Sequence, residues 1–265
     1  MSTQAEITTL PLLAGLTAVI TGAAQGLGYG CATWMAAAGA RIAIVDKNGD
    51  GATCAAATLP GHGHLGLICD VTDSESRRDA IDKAMLGLGT IDVLVNNAGI
   101  TYIAPAEDTD EDRWQEVFDV NVHGMMFMSR DVGRIMLKNG SGSIINIGSI
   151  TSLLAMPQRA AYVTTKTAVL GLTRVLAAEW AGRGLRVNAI GPGYHRTPLL
   201  QQYMDNGLVE EGNICRRIPA GRLGSIDDIG KAAVFFASSL SEYVTGQFLM
   251  VDGGYTIFGA PQDAS

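Results

Sequence analysis

Short apolar runs alternate with longer amphipathic stretches along this chain. Residues 17–21, 41–46, 65–70, 93–96, 143–148, 186–190 and 248–251 read as strands. Several, such as Ile42-Ala43-Ile44-Val45, are continuously apolar, the pattern of a strand covered on both faces. Between them, residues 27–38, 74–87, 111–138, 160–181 and 226–238 carry apolar side chains at helical spacing. This alternation predicts right-handed crossovers and a single α/β domain built on a doubly wound parallel sheet with helices on both faces. No linker, low-complexity segment or internal repeat interrupts it.

Composition narrows the class. Hydrophobic residues make up 47% of the 265 positions, which is ample for a core, and 33 glycines suit many tight strand-to-helix turns. A net charge of −7 argues against nucleic-acid binding, which needs clustered positive charge. No apolar run is long enough to span a membrane, and residues 1–13 lack the Lys or Arg and the long apolar core of a signal peptide. Cys31, Cys54, Cys69 and Cys215 form no Cys-x-x-Cys pair, which suits a reducing cytoplasm. His62 and His64 have no third ligand nearby, so no metal site is expected.

Three stretches carry candidate chemistry. The first strand runs into Thr21-Gly22-Ala23-Ala24-Gln25-Gly26-Leu27-Gly28, and a helix follows. Glycines there allow a tight turn and let the backbone approach a pyrophosphate at the helix N-terminus, although such a loop also occurs as a plain turn. Asp46 closes the second strand, where a carboxylate accepts hydrogen bonds from ribose hydroxyls and repels a 2′-phosphate. A helix N-cap is the alternative for it, and Lys47 beside it could tolerate a phosphate. Asp70 and Val71, then Asn97, Ala98 and Gly99, fall at the ends of the third and fourth strands, on the ligand-binding edge of such a sheet.

Tyr162 and Lys166 stand one helical turn apart. A free phenol titrates near ~10 and is a poor base at neutral pH. An adjacent ammonium should lower that value and make Tyr162 a usable general acid or base. Ser149, at the end of the fifth strand, could hold the substrate oxygen. A half-buried Tyr beside a solvated Lys is the bland alternative.

Taken together, Thr21-Gly22-x-x-x-Gly26-x-Gly28, Asp70, Asn96-Asn97-Ala98-Gly99, Asn121, Ser149, Tyr162-x-x-x-Lys166 and Pro192-Gly193 resemble the short-chain dehydrogenase/reductase family over residues 13–258. Residues 1–12 then form an N-terminal extension and 259–265 a tail. The resemblance implies a Rossmann-type sheet of seven parallel strands, a nicotinamide cofactor and a catalytic tetrad. In that tetrad Tyr162 is the acid/base, Lys166 tunes it and holds the nicotinamide ribose, Ser149 positions the substrate oxygen and Asn121 anchors a relay water. It further implies cofactor contacts from Gly22, Gln25, Gly26, Leu27, Gly28, Asp46, Asp70, Val71, Asn97, Ala98, Gly99, Pro192, Gly193 and Thr197. NAD is expected rather than NADP, because of Asp46.

The ending Val251-Asp252-Gly253-Gly254-Tyr255 and the run Pro192-Gly193-Tyr194 are similar to the family's sugar, polyol and sugar-acid dehydrogenases. The expected reaction is interconversion of a secondary alcohol and its ketone. Thr151, Gln158, Arg159, Tyr194, His195 and Arg196 are candidates for the substrate, and a helical lid through Met204 and Leu208 should cover it. A homotetramer is implied. The alternatives are an NADP-dependent 3-oxoacyl-carrier-protein reductase and, in another class, a non-catalytic dinucleotide-binding regulator.

Overall fold

The computed structural model describes residues 11–207 and 209–259. Seven strands form one parallel sheet: β1 (Thr17–Thr21), β2 (Arg41–Asp46), β3 (Leu65–Ile68), β4 (Val93–Asn96), β5 (Gly142–Ile147), β6 (Leu185–Pro192) and β7 (Phe248–Val251). Their spatial order is β3-β2-β1-β4-β5-β6-β7. The chain reverses direction across the sheet between β1 and β4, and a crevice opens there at the strands' carboxyl ends.

The helices are α1 (Gly26–Ala37), α2 (Gly49–Ala57), α3 (Ser74–Leu88), α4 (Glu111–Phe118), α5 (Met125–Asn139), α6 (Ala160–Trp180), α7 (Pro198–Asp205), α8 (Glu211–Cys215) and α9 (Ile226–Ala237). One core layer holds α1 and α9 against Ile20, Ile42, Ile44 and Val95; the other holds α3, α5 and α6 against Val19, Val45, Leu94 and Ile144. Alternate residues of one strand thus serve opposite layers, as a pleat covered on both faces requires.

Four departures from the sequence expectation have local causes. β3 stops at Ile68 because Asp70 Oδ1 accepts from Thr72 N (2.9 Å) and Thr72 Oγ1 (2.6 Å), turning the chain before α3. β6 runs on through Gly191 and Pro192, which pair with Met250 and Val251. Helix α2 escaped notice because Gly49 and Gly51 are poor helix formers. Asn48 caps it by accepting from Gly51 N at 3.0 Å. It also packs so closely on β3 that a Cβ at Gly66 would stand 2.4 Å from Thr53 Cα. Finally, the long helix expected over 111–138 is two helices separated by a widened π-type turn, Asp119–Gly124, with Asn121 buried inside it.

No helix among the described residues is long and apolar enough to cross a membrane, and no His/Cys/Asp/Glu group among them could hold a metal ion. Residues 1–10, Leu208 and 260–265, which include most of the expected extension and tail, lie outside the described residues.

Candidate active site

The nucleotide side of the crevice is built by β1, β2 and β4. Gly22 and Gly28 are required by close approach: a Cβ on Gly22 would meet Ala98 Cα at 2.8 Å, and one on Gly28 would meet Gly22 O at 2.7 Å. Thr21 Oγ1 accepts from Asn97 N (3.0 Å) and Ala98 N (3.1 Å), while Asn97 Nδ2 donates to Thr21 O (3.0 Å) and Gly22 O (2.7 Å). Asn97 therefore braces the glycine loop from behind. Thr21 is the matching acceptor, which the motif contained but the sequence reading gave no role.

Asp46 is held by two backbone amides: Oδ2 accepts from Ala24 N (3.1 Å) and Oδ1 from Asn48 N (2.9 Å). Both oxygens keep further acceptor capacity. Lys47 swings away from it and pairs with Asp70 at 2.9 Å. Burial alone would raise the Asp70 carboxyl, but hydrogen bonds from Thr72 and Lys47 outweigh it and hold the group at about 2. Val71 is buried against Gly124 of the widened turn.

A groove of about 640 Å³ runs along this edge, lined by Ala24, Gln25, Gly26, Asp46, Asn48 and Thr58 among others. The residues present fit a dinucleotide. The N-terminus of α1 has neither a capping side chain nor an acidic first turn, so its amide donors are left for a ligand. The space where a Gly26 Cβ would stand is open within 4 Å. Leu27 is half-buried in the first turn of α1.

The catalytic candidates converge from three other elements. Ser149 follows β5 and caps a short turn, Ile150–Ser152; its Oγ accepts from Thr151 N at 3.1 Å. Ser152 Oγ donates to Lys166 O at 2.6 Å, tying that turn to α6. Lys166 is buried (3% exposed), and its Nζ donates to Ile147 O at 2.8 Å. Two ammonium protons remain available. Asn121 Oδ1 accepts from Ile100 N (2.8 Å), and its Nδ2 donates to Ile100 O (2.9 Å) and Thr165 Oγ1 (3.1 Å). A Cβ on Gly99 would stand 3.3 Å from Asn121 Oδ1 and 3.4 Å from Lys166 Nζ, so both face the same small residue.

One expectation is corrected. Tyr162 is not depressed in this state: burial pushes its phenol above the usual value, and the opposing influences are a hydrogen bond with Ser149 and the charge of Arg159. Lys166 does not offset this. Its ammonium lies 5.8 Å from the Tyr162 ring centroid, over the ring face, and burial lowers its own pKa to about 8. The charge that favours the Tyr162 phenolate is that of Arg159.

The substrate candidates separate into groups. Arg159 and Tyr194 stay with Tyr162: the charge of Arg159 bears on both phenols. Thr151 is buried beside Ser149, with Oγ1 unpartnered. Gln158 is exposed, in a left-handed conformation (φ 63°), and its carbonyl accepts from Ala104 N at 2.9 Å. His195 departs: it is buried against Gly224 in a separate cavity with Arg222, Asp228 and Asp252, and burial lowers its pKa. Arg196 departs too, lining the nucleotide groove and pairing with Glu211 of α8 at 2.6 Å.

Pro192 and Gly193 end β6, with Gly193 N bonded to Val251 O at 3.0 Å. Thr197 caps α7, its Oγ1 accepting from Leu200 N at 3.3 Å. Tyr194 meets Tyr255 edge to face at 5.4 Å, over a small apolar cluster of Ile150, Leu200, Ile214 and Ile218 that seats α7 and α8. Sequence reasoning did not assign Tyr255 or Tyr203 to this pocket; no spacing rule marks them.

Residues 22–256 match the family model described as Enoyl-(Acyl carrier protein) reductase. The chain is 42% identical to a D-threitol dehydrogenase of Mycolicibacterium smegmatis, over 92% of this chain and 94% of that protein. It is 40% identical to a galactitol 2-dehydrogenase (L-tagatose-forming) of Cereibacter sphaeroides, over 93% and 97%. A gluconate 5-dehydrogenase of Burkholderia cenocepacia, solved in complex with NADP and tartrate, superposes with a TM-score of 0.88 and 40% identity, over 94% of this chain and 98% of that one.

Proposed function

The chain belongs to the short-chain dehydrogenase/reductase family, and from that premise we propose that it is an NAD-dependent dehydrogenase. It interconverts a secondary alcohol of a polyol, sugar or sugar acid with the matching ketone. The observation that carries this reading is the convergence of Ser149 and Lys166 on Tyr162, with Lys166 and Asn121 facing Gly99 at the end of β4, in a fold that also offers a groove suited to a dinucleotide.

The residues divide the work. The uncapped end of α1 receives the pyrophosphate, Asp46 the adenosine ribose, and Lys166 with its free protons the nicotinamide ribose. The nicotinamide, when bound, accepts or gives the hydride. Tyr162 takes the proton from the substrate hydroxyl, with Ser149 holding the same oxygen. Arg159 favours the phenolate that must form, and Asn121 fixes the loop after β4 against α6.

NAD is favoured over NADP because Asp46 is pinned at the strand end while Lys47 is engaged by Asp70. The dehydrogenases of threitol and galactitol support the polyol class. The same reading places the protein in the cytoplasm as a homotetramer. Exposed Leu249 and Ile257 near β7 and Val175 on α6 support the assembly. An NADP-dependent 3-oxoacyl-carrier-protein reductase is the second reading, supported by 36% identity to the 3-oxoacyl-[acyl-carrier-protein] reductase of Thermotoga maritima.

The test is a screen at ~340 nm, the NADH absorbance band, against polyols, sugars and aldonates with NAD and NADP in parallel. Oxidation with NAD is the expected result. Reduction of a 3-oxoacyl thioester with NADPH, and no oxidation of any polyol, sugar or aldonate with NAD, would replace this reading by the reductase.

A further inference from the structure

Arg159 is an anomaly among the cations of this chain. Four arginines are half-buried or buried: Arg77, Arg130, Arg159 and Arg186. Arg77 donates to Val71 O and faces Asp131, Arg130 pairs with Asp131, and Arg186 bonds Phe236 O and Ser241 Oγ. The Arg159 guanidinium alone of the four has no hydrogen bond or ion pair among the described residues. Arg159 is only partly exposed, and a guanidinium that no residue of the fold engages keeps all its donors for a ligand.

Its placement is built. Gln158, just before it, holds a left-handed backbone (φ 63°) that residues with side chains rarely adopt. The Gln158 carbonyl is anchored by Ala104 N at 2.9 Å, and the Arg159 carbonyl accepts from Val163 N at 2.8 Å. Arg159 thus stands at the head of α6, three residues before Tyr162 and on the same face. Its charge is felt by Tyr162 on one side and Tyr194 on the other, and no carboxylate is among the influences on Tyr162. Close by in the chain, Thr151 Oγ1 is buried and unpartnered, two positions after Ser149. A cation one helical turn before Tyr162 and an unused hydroxyl two positions after Ser149 thus occur in a chain whose net charge is −7.

We propose that Arg159 is a specificity-determining residue that recognises a substrate carboxylate, so that a hydroxy acid is preferred to the neutral polyol of the same skeleton. This rests on the dehydrogenase reading above. One planar guanidinium matches the two oxygens of a carboxylate. A phosphate dianion would call for further donors, and the other nearby cation, Arg217, is engaged over the Tyr255 ring at 4.8 Å.

The test compares aldonates with the alditols of the same skeleton, in the wild type, Arg159→Gln and Arg159→Lys. The readout is the ratio of kcat/KM for acid over polyol. Arg159 also influences Tyr162, but that effect acts on both substrates and cancels in the ratio. The ratio should exceed unity in the wild type, fall about 30-fold in Arg159→Gln through KM, and take an intermediate value in Arg159→Lys.

Calorimetry supplies a readout without turnover. Tyr162→Phe loaded with NADH should bind the aldonate at least ~10-fold more tightly than the alditol, and lose that preference when Arg159→Gln is added. An unchanged ratio, equal binding of acid and polyol, or a preference for the alditol phosphate would each overturn the carboxylate assignment. Silence of every substrate with both nucleotides, with NADH binding intact, would count against the dehydrogenase reading; the calorimetric comparison would still decide Arg159.

Discussion

The two halves of the crevice are finished to different degrees. On the nucleotide side the side chains at the strand ends are bonded within the fold: Asp46 to two amides, Asn97 to Thr21 and Gly22, Asp70 to Thr72 and Lys47. On the substrate side, among the described residues, Thr151 Oγ1 is buried without a partner and the Arg159 guanidinium has no hydrogen bond or ion pair. The first half is a rigid cradle whose ligand-facing groups are backbone amides and one fixed carboxylate. The second leaves side chains waiting for groups that a particular substrate must supply. On the proposed function, cofactor recognition rests on backbone geometry and substrate recognition on individual side chains.

Substitutions break this contrast in graded ways. The largest effect is expected from Tyr162→Phe, which removes the proposed proton-transfer group: kcat should fall about 10³-fold while NADH affinity changes less than ~3-fold, read by steady-state kinetics and fluorescence titration. A parallel loss of NADH binding would show that the halves are not separable. Gly28→Ala acts in the other half. Its Cβ would stand 2.7 Å from Gly22 O and 2.9 Å from Ala23 Cα, both backbone atoms that cannot step aside. Dinucleotide affinity should fall about 100-fold by calorimetry, with Tyr162 untouched.

Asp46→Asn should sharpen the comparison, since it keeps the shape of the side chain and removes its charge. The preference for NAD over NADP should narrow about 10-fold or more in kcat/KM. An unaltered preference would move the discrimination elsewhere in the groove.

A smaller effect follows from Lys166, whose pKa is lowered to about 8 by burial. Between that value and ~10.4, the unfolded chain binds a proton at this site that the folded chain does not. Stability contributed by this group therefore rises with pH across that window. The penalty of keeping the ammonium buried is fully present below it. In urea denaturation, the midpoint of the wild type relative to Lys166→Met should increase from pH ~7 to pH ~9.5. Smallest of all, Lys47→Ala removes an exposed partner from Asp70, and the stability change should stay within about 0.5 kcal/mol.

Much of the fold was legible because buried parallel strands write themselves as apolar runs. β1, β2, β4 and β7 begin and end where the runs do. The Gly22-x-x-x-Gly26-x-Gly28 spacing and Asp46 were equally readable, since a tight turn and a strand end are local features. Helix α2 was not, because its glycines oppose helix formation and its stability comes from lying on Gly66. Nor was the widened turn around Asn121, whose polar side chain is satisfied only by Ile100 and Thr165 from distant parts of the chain.

Spacing also misassigned two candidates. His195 and Arg196 follow Tyr194 directly, yet successive residues after a strand point different ways: the first packs on Gly224 and the second into the nucleotide groove. The sequence by itself determined the order of elements, the strand-end positions and the kinds of side chain placed there, because those depend on local pattern and chain direction. Only the tertiary structure decided which of those side chains meet. It set Lys166 over the ring of Tyr162, engaged with Ile147 O and with its pKa lowered by burial, and it left Arg159 as the cation whose charge bears on the phenol. Burial and distance govern both charge and proton affinity, and neither exists until the helices dock on the sheet.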